Sequence, residues 1–170
     1  MDKVKTTQNL YLKLGKNWVI IFLLLLCVIF SIVGKGFFAN NTLNNILMSS
    51  SPSLLLAAGE TFVIITGGID LSIGFVKGMV SVISAIVMRN LFAMGYSPFL
   101  CIALGIAVGL LIGLLPGLLN GVLVAKFRVP PFIATLGMYG IANGIAFGLC
   151  EGFPIIDLPQ QAGRIGNGYI

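Results

Sequence analysis

Apolar residues come in blocks along this chain, and polar residues occupy the gaps between them. The first block runs from Trp18 to Val33 and is closed by Gly34-Lys35-Gly36. As a helix it sits near the lower limit for crossing a bilayer. A basic segment precedes it, as in a signal peptide, but no A-x-A site follows and the apolar core is long, which favours a signal-anchor. Phe37 to Ser53 is mixed. Asn40, Asn41 and Thr42 offer a helix start, and Leu43, Ile46 and Leu47 share one helical face, which predicts a short interfacial helix. Ser49-Ser50-Ser51-Pro52-Ser53 interrupts it, because Pro52 lacks an N–H and disfavours helix before it. Leu54 to Thr66 is apolar again except for Glu60. It rises only about 20 Å, too little for a full crossing. Two alternatives follow: Pro52 kinks one long helix, or Leu54–Thr66 is a half-helix buried by neighbours.

Gly67-Gly68-Ile69-Asp70 stops that element. Leu71–Met88 predicts a third membrane helix, Phe99–Ala125 a longer fourth with Pro116 inside, and Phe132–Cys150 a fifth. Lys126-Phe127-Arg128-Val129-Pro130-Pro131 is a turn, since two prolines end one helix and admit another at its first position. Glu151 to Ile170 shows no apolar periodicity and reads as an extramembrane tail. The pattern predicts an all-α polytopic membrane helix bundle of about five transmembrane helices plus a short interfacial helix. It divides into a basic cytoplasmic N-terminus (1–17), a transmembrane domain (18–150) and an incomplete tail (151–170).

Composition points the same way. Only 9% of the 170 residues are charged and 58% are hydrophobic, whereas a soluble domain carries about 25% charge. A globule of this length has too much surface to leave so little of it charged. Disordered, collagenous and disulfide-scaffold classes are excluded with it. The chain has no His, so no imidazole can act as base, proton shuttle or metal ligand. Cys27, Cys101 and Cys150 lie far apart in apolar stretches and read as small packing residues. No catalytic residue, metal or cofactor is expected. No G-x-x-x-x-G-K-[ST] loop occurs, so any ATP must be bound by another chain.

The net charge of +5 is not a nucleic-acid signal, because the charges flank apolar runs instead of forming a basic face. Lys3, Lys5, Lys13, Lys16, Lys126 and Arg128 fall on one side of a five-crossing arrangement, and Lys35, Arg89 and Arg164 on the other. That positive-inside bias favours a cytoplasmic N-terminus.

Glycine spacing is the clearest signal inside the blocks. Gly105, Gly109, Gly113, Gly117 and Gly121 recur every four residues, as do Gly140, Gly144 and Gly148, and Gly74 and Gly78. Such rows make flat faces that let helix backbones approach where lipid supplies no hydrophobic drive. Tight packing is the plain reading, and a sliding surface the sharper one. Asp70, just before a helix, suits an N-cap; it could equally line an unwound polar segment with Ser72. Glu60 and Lys77 fall at similar depth if their helices form a hairpin, which predicts an ion pair or a snorkelling lysine, or else a pair on a solute path. Asn120, Thr135 and Asn143 can bond between helices or offer partners to sugar hydroxyls.

Gly59-Glu60-Thr61-Phe62-Val63-Ile64-Ile65-Thr66-Gly67-Gly68-Ile69-Asp70-Leu71-Ser72-Ile73-Gly74 resembles the signature of the ribose/galactose/xylose-type ABC transporter permeases. Gly117-Leu118-Leu119-Asn120-Gly121 followed by Val129-Pro130-Pro131-Phe132-Ile133-Ala134-Thr135-Leu136-Gly137-Met138 resembles the family's second hallmark. The resemblance implies a bacterial inner-membrane subunit that moves a monosaccharide or similar polyol inward. It also implies three partners: a separate ABC ATPase subunit, a periplasmic or extracellular sugar-binding protein and a second permease subunit. It covers the family's N-terminal half, so a truncated or split permease is expected, and Lys77 departs from a helix that is normally neutral. Glu60, Asp70, Ser72 and Lys77, then Asn120 and Asn143, are the candidates for the solute path. The rival readings are an oligomeric channel or ion-coupled secondary transporter using Glu60 and Lys77, and a membrane-embedded enzyme, which the lack of His disfavours.

Overall fold

A computed structural model describes residues 17–167. The basic N-terminus with Lys3, Lys5, Lys13 and Lys16 lies outside the described residues, as do the last three of the tail. The described chain forms six helices and no strand. They are α1 (Trp18–Val33), α2 (Asn40–Ile65), α3 (Ile73–Ala93), α4 (Pro98–Ala125), α5 (Pro131–Cys150) and α6 (Gln160–Asn167). Four of them, α2 to α5, are long and apolar enough to cross a membrane, and α1 is a shorter apolar helix of 16 residues. This is an all-α, multi-pass membrane protein.

The chain divides into two units, with the boundary after Ser49. In the first, Gly34 ends α1 with its N–H on the Phe30 carbonyl at 2.8 Å. The Phe30 and Phe37 rings stack at 6.4 Å across that turn, and the Thr42 hydroxyl donates to the Gly36 carbonyl at 2.9 Å. No residue of α1 is buried.

Helix α2 runs through Pro52 without interruption. The separate interfacial helix expected over Phe37–Ser53 does not form, and of the two alternatives at Pro52 the single long helix is the one observed. The physical reason is a comparison of costs. An interior proline removes one hydrogen bond, at about 3 kcal/mol or more in a water-exposed helix. A complete break would strip partners from a whole turn of backbone, and each unsatisfied group in hydrocarbon costs several kcal/mol.

The second unit is built on α3, α4 and α5. Helices α3 and α4 form an antiparallel hairpin about the turn at 94–97, where the Leu100 N–H donates to the Ser97 hydroxyl at 3.4 Å, capping α4. Along their seam Gly105 lies against Met88, Gly109 against Ser84 and Gly113 against Val80. One helix climbs four residues as the other descends four, so the missing side chains of α4 make the groove that α3 fills. Helix α5 packs on α3 through Phe75 and Tyr139, whose ring centroids are 4.0 Å apart. Met79, Cys101, Ile102, Ala134, Met138 and Ala142 form the small buried apolar core. The outward face of α4 is bare, with Leu110, Leu111, Leu114 and Leu118 all at least 60% exposed. A face of that kind needs lipid or protein over it.

The tail is not irregular throughout. Its described part closes with α6, an eight-residue amphipathic helix entered through the buried Pro159, with Arg164 in its last turn. The expectation of no periodicity fails there because the period occupies only two turns.

Candidate functional site

The break between α2 and α3 positions the polar residues. Gly67 carries φ +78°, a left-handed conformation natural to glycine, and so turns the chain out of α2. The Gly68 N–H returns to the Val63 carbonyl at 3.0 Å, and the Thr66 hydroxyl donates to the same carbonyl at 2.7 Å. The chain then crosses the open ends of α2 and α3 with its own backbone groups needing partners.

Side chains supply them. Glu60 Oε1 accepts the Asp70 N–H at 3.0 Å. Asp70 Oδ1 accepts both the Ser72 N–H at 2.7 Å and the Ser72 hydroxyl at 2.6 Å. Ser72 Oγ in turn accepts from Asn120 Nδ2 at 3.3 Å, joining the break to α4. Thr135 ties in α5, donating to the Pro131 carbonyl at 2.9 Å and standing 3.2 Å from the Ile69 carbonyl. Ser72, Asn120 and Thr135 are all buried. Among the described residues, two buried side-chain oxygens make no hydrogen bond: Glu60 Oε2 and Asn120 Oδ1. Buried polar atoms are nearly always satisfied, so each unsatisfied one calls for an explanation.

A cavity of about 480 Å³ adjoins this network. Its wall includes Asp70, Asn120, Thr66 and Thr135, with Gly117 and Gly121 on the α4 side. A Cβ at either glycine would meet nothing within 4 Å, so here the glycines leave space open instead of admitting a neighbour. The size falls within the range of small-molecule sites.

Of the sequence-expected path residues, the structure brings Glu60, Asp70, Ser72 and Asn120 into one connected chain. Lys77 is elsewhere. It is exposed in an apolar groove of about 500 Å³ beside Leu56, Val80 and Leu110, and makes no ion pair among the described residues. The expected Glu60–Lys77 pair is absent because the Glu60 carboxylate turns to the backbone of the break. Asn143 is exposed on α5, without a hydrogen-bond partner among the described residues. The N-cap position of α3 belongs to Ser72, and Asp70 acts two residues earlier by holding Ser72. Among the glycine rows, Gly105, Gly109 and Gly113 meet α3, whereas Gly74, Gly78, Gly140, Gly144 and Gly148 have open space beside them. Thr66 was not among the sequence-expected path residues; a hydroxyl one residue before Gly-Gly was the available sign.

Residues 42–165 match the family described as branched-chain amino acid transport system / permease component. The chain is 38% identical over 149 residues to the ribose import permease protein of Bacillus subtilis, covering 86% of this chain and 44% of that protein. It is 39% identical over 161 residues to the fructose import permease protein of Rhizobium meliloti, covering 87% and 42%. It is 30% identical over 146 residues to the autoinducer 2 import system permease protein of Photorhabdus laumondii, covering 86% and 41%. The chain thus spans less than half the length of the curated relatives it matches. No solved structure matches it.

Proposed function

This chain belongs to the branched-chain amino acid transport system / permease component family, and from that premise we propose that it is a permease subunit of an ATP-driven importer. Its solute is a monosaccharide or similar small polyol, and a separate ATPase subunit powers alternating access. The observation that carries the reading is the cavity at the α2–α3 break, whose wall includes the buried hydrogen-bonding side chains of Asn120 and Thr135. Half-unwound segments beside a polar cavity are how transporters place solute sites within the membrane. The names of the ribose and fructose relatives support the solute class.

The partners are an ABC ATPase subunit, a periplasmic or extracellular sugar-binding protein and a second permease subunit, all within the bacterial inner membrane or at its faces. The N-terminus is cytoplasmic, which places Lys126 and Arg128 on the same side. Disrupting the gene in its own host and following uptake of labelled ribose and fructose tests the reading. Loss of uptake that ATP depletion reproduces and a protonophore does not is the expected result. Uptake that follows the proton gradient and ignores ATP would replace it with the ion-coupled transporter.

A further inference from the structure

The cavity has a hydrogen-bond polarity of its own. Ser72 has a single hydroxyl proton, and it goes to Asp70 Oδ1 at 2.6 Å. Its oxygen can therefore only accept from Asn120, which fixes the amide with Nδ2 toward Ser72 and Oδ1 left over. Asn120 is 6% exposed and lines the cavity, and its unpartnered Oδ1 is a buried acceptor.

The other polar side chains of the wall are spent in the same sense. Thr66 gives its proton to the Val63 carbonyl at 2.7 Å, and Thr135 gives its proton to the Pro131 carbonyl at 2.9 Å. Both hydroxyls keep only lone pairs for a guest. Asp70 Oδ2 makes no hydrogen bond among the described residues and is the carboxyl oxygen left over. Pro131, which opens α5 at the wall, has no N–H to offer.

We propose that the Asn120–Ser72–Asp70 hydrogen-bond chain, by spending the hydroxyl protons of the wall and one Asn120 N–H on the protein itself, leaves the cavity rich in acceptors and makes it a site for guests that bring donors. Uncharged hydroxyl groups and ammonium groups are accepted, and carboxylate- or phosphate-bearing solutes are refused. A guest hydroxyl or ammonium satisfies Asn120 Oδ1 and Asp70 Oδ2, whereas an anion meets lone pairs and a like charge at close range, an arrangement that costs several kcal/mol. Asn120 and Asp70 are then specificity-determining residues, with Ser72 holding the direction of the chain between them. This inference rests on the reading that the cavity is part of the solute path.

Equilibrium binding of labelled ribose and ribose 5-phosphate to the full chain in lipid nanodiscs tests it, with thermal melting to verify folding of each variant. Ribose is expected to bind the wild-type chain at least about tenfold more tightly than its phosphate. Asp70→Asn keeps an acceptor for Ser72 and turns an NH₂ group toward the cavity, so it should narrow that ratio about tenfold. Gly121→Phe fills space that is open in the structure and should remove ribose binding while leaving the melt intact. If Gly121→Phe removes binding but the phosphate binds wild-type chain as tightly as ribose, the polarity argument is overturned and the solute-path reading stands. If neither probe binds, or Gly121→Phe leaves ribose binding unchanged, the solute-path reading falls and takes the inference with it.

Discussion

Glu60 shows how a membrane-depth acid can have a structural task that its charge alone does not reveal. Its Oε1 holds the Asp70 N–H in a break that has no helical partner for that group. Glu60→Gln retains an acceptor there, whereas Glu60→Leu leaves the N–H unsatisfied. Melting in detergent should show Glu60→Gln close to wild type and Glu60→Leu less stable by about 1–3 kcal/mol. Ser72→Ala is expected to cost a similar amount, about 1–3 kcal/mol, because it strands Asn120 Nδ2 and one Asp70 contact together. The involvement of Glu60, Asp70, Ser72 and Asn120 was legible in the sequence from their rarity in apolar surroundings. Their partners were not. Equal depth suggested Lys77 for Glu60, but depth says nothing of rotation about a helix axis, and Lys77 lies on a face that meets no acid.

Among elements, the α3–α4 seam is the best-defined contact. The glycine row of α4 was visible at a glance, but its complement, Val80, Ser84 and Met88 at the same spacing on α3, carries no distinctive residue type and stood out only in three dimensions. A side chain at Gly109 would overlap the Ser84 hydroxyl and press on Val80. Gly109→Leu is therefore expected to destabilise by about 1–3 kcal/mol. Gly144→Leu, with open space beside it, should stay within about 0.5 kcal/mol of wild type in the same melting assay. The start of α3 and the boundaries of α4 and α5 were readable to within two residues because Gly-Gly and Pro-Pro punctuate them, whereas α3 runs on to Ala93, five residues past the expected end at Met88. At Pro52 the sequence left one long helix and a half-helix both open, because the cost of bare backbone in lipid, which favours the unbroken helix, is marked by no residue type.

For the whole molecule, the hairpin order fixes which turns share a membrane face. Crossings by α3 and α4 put the break at 67–72 and the turn at 126–130 on one side, and the turn at 94–97 on the other. Cysteines introduced at Gly67 and Arg128, in a background lacking the three native ones, should react with an impermeant maleimide from the same side of sealed vesicles. A cysteine at Gly95 should react only from the opposite side. Labelling of all three from one side would overturn the crossing order. The second unit buries few side chains, and none of α2 over residues 41–65 is buried, so these surfaces depend on whatever surrounds them. The α3–α4 seam also has a mechanical consequence. It is held at two places, by the close approach from Gly105 to Gly113 and by the Asn120–Ser72 hydrogen bond, while the Cβ positions of Gly117 and Gly121 stay open. The hairpin is therefore clamped on both sides of the stretch that borders the cavity. A load on the 126–130 end passes through Asn120 and Ser72 straight into the break, so the cavity wall and the turn are strung on one tether.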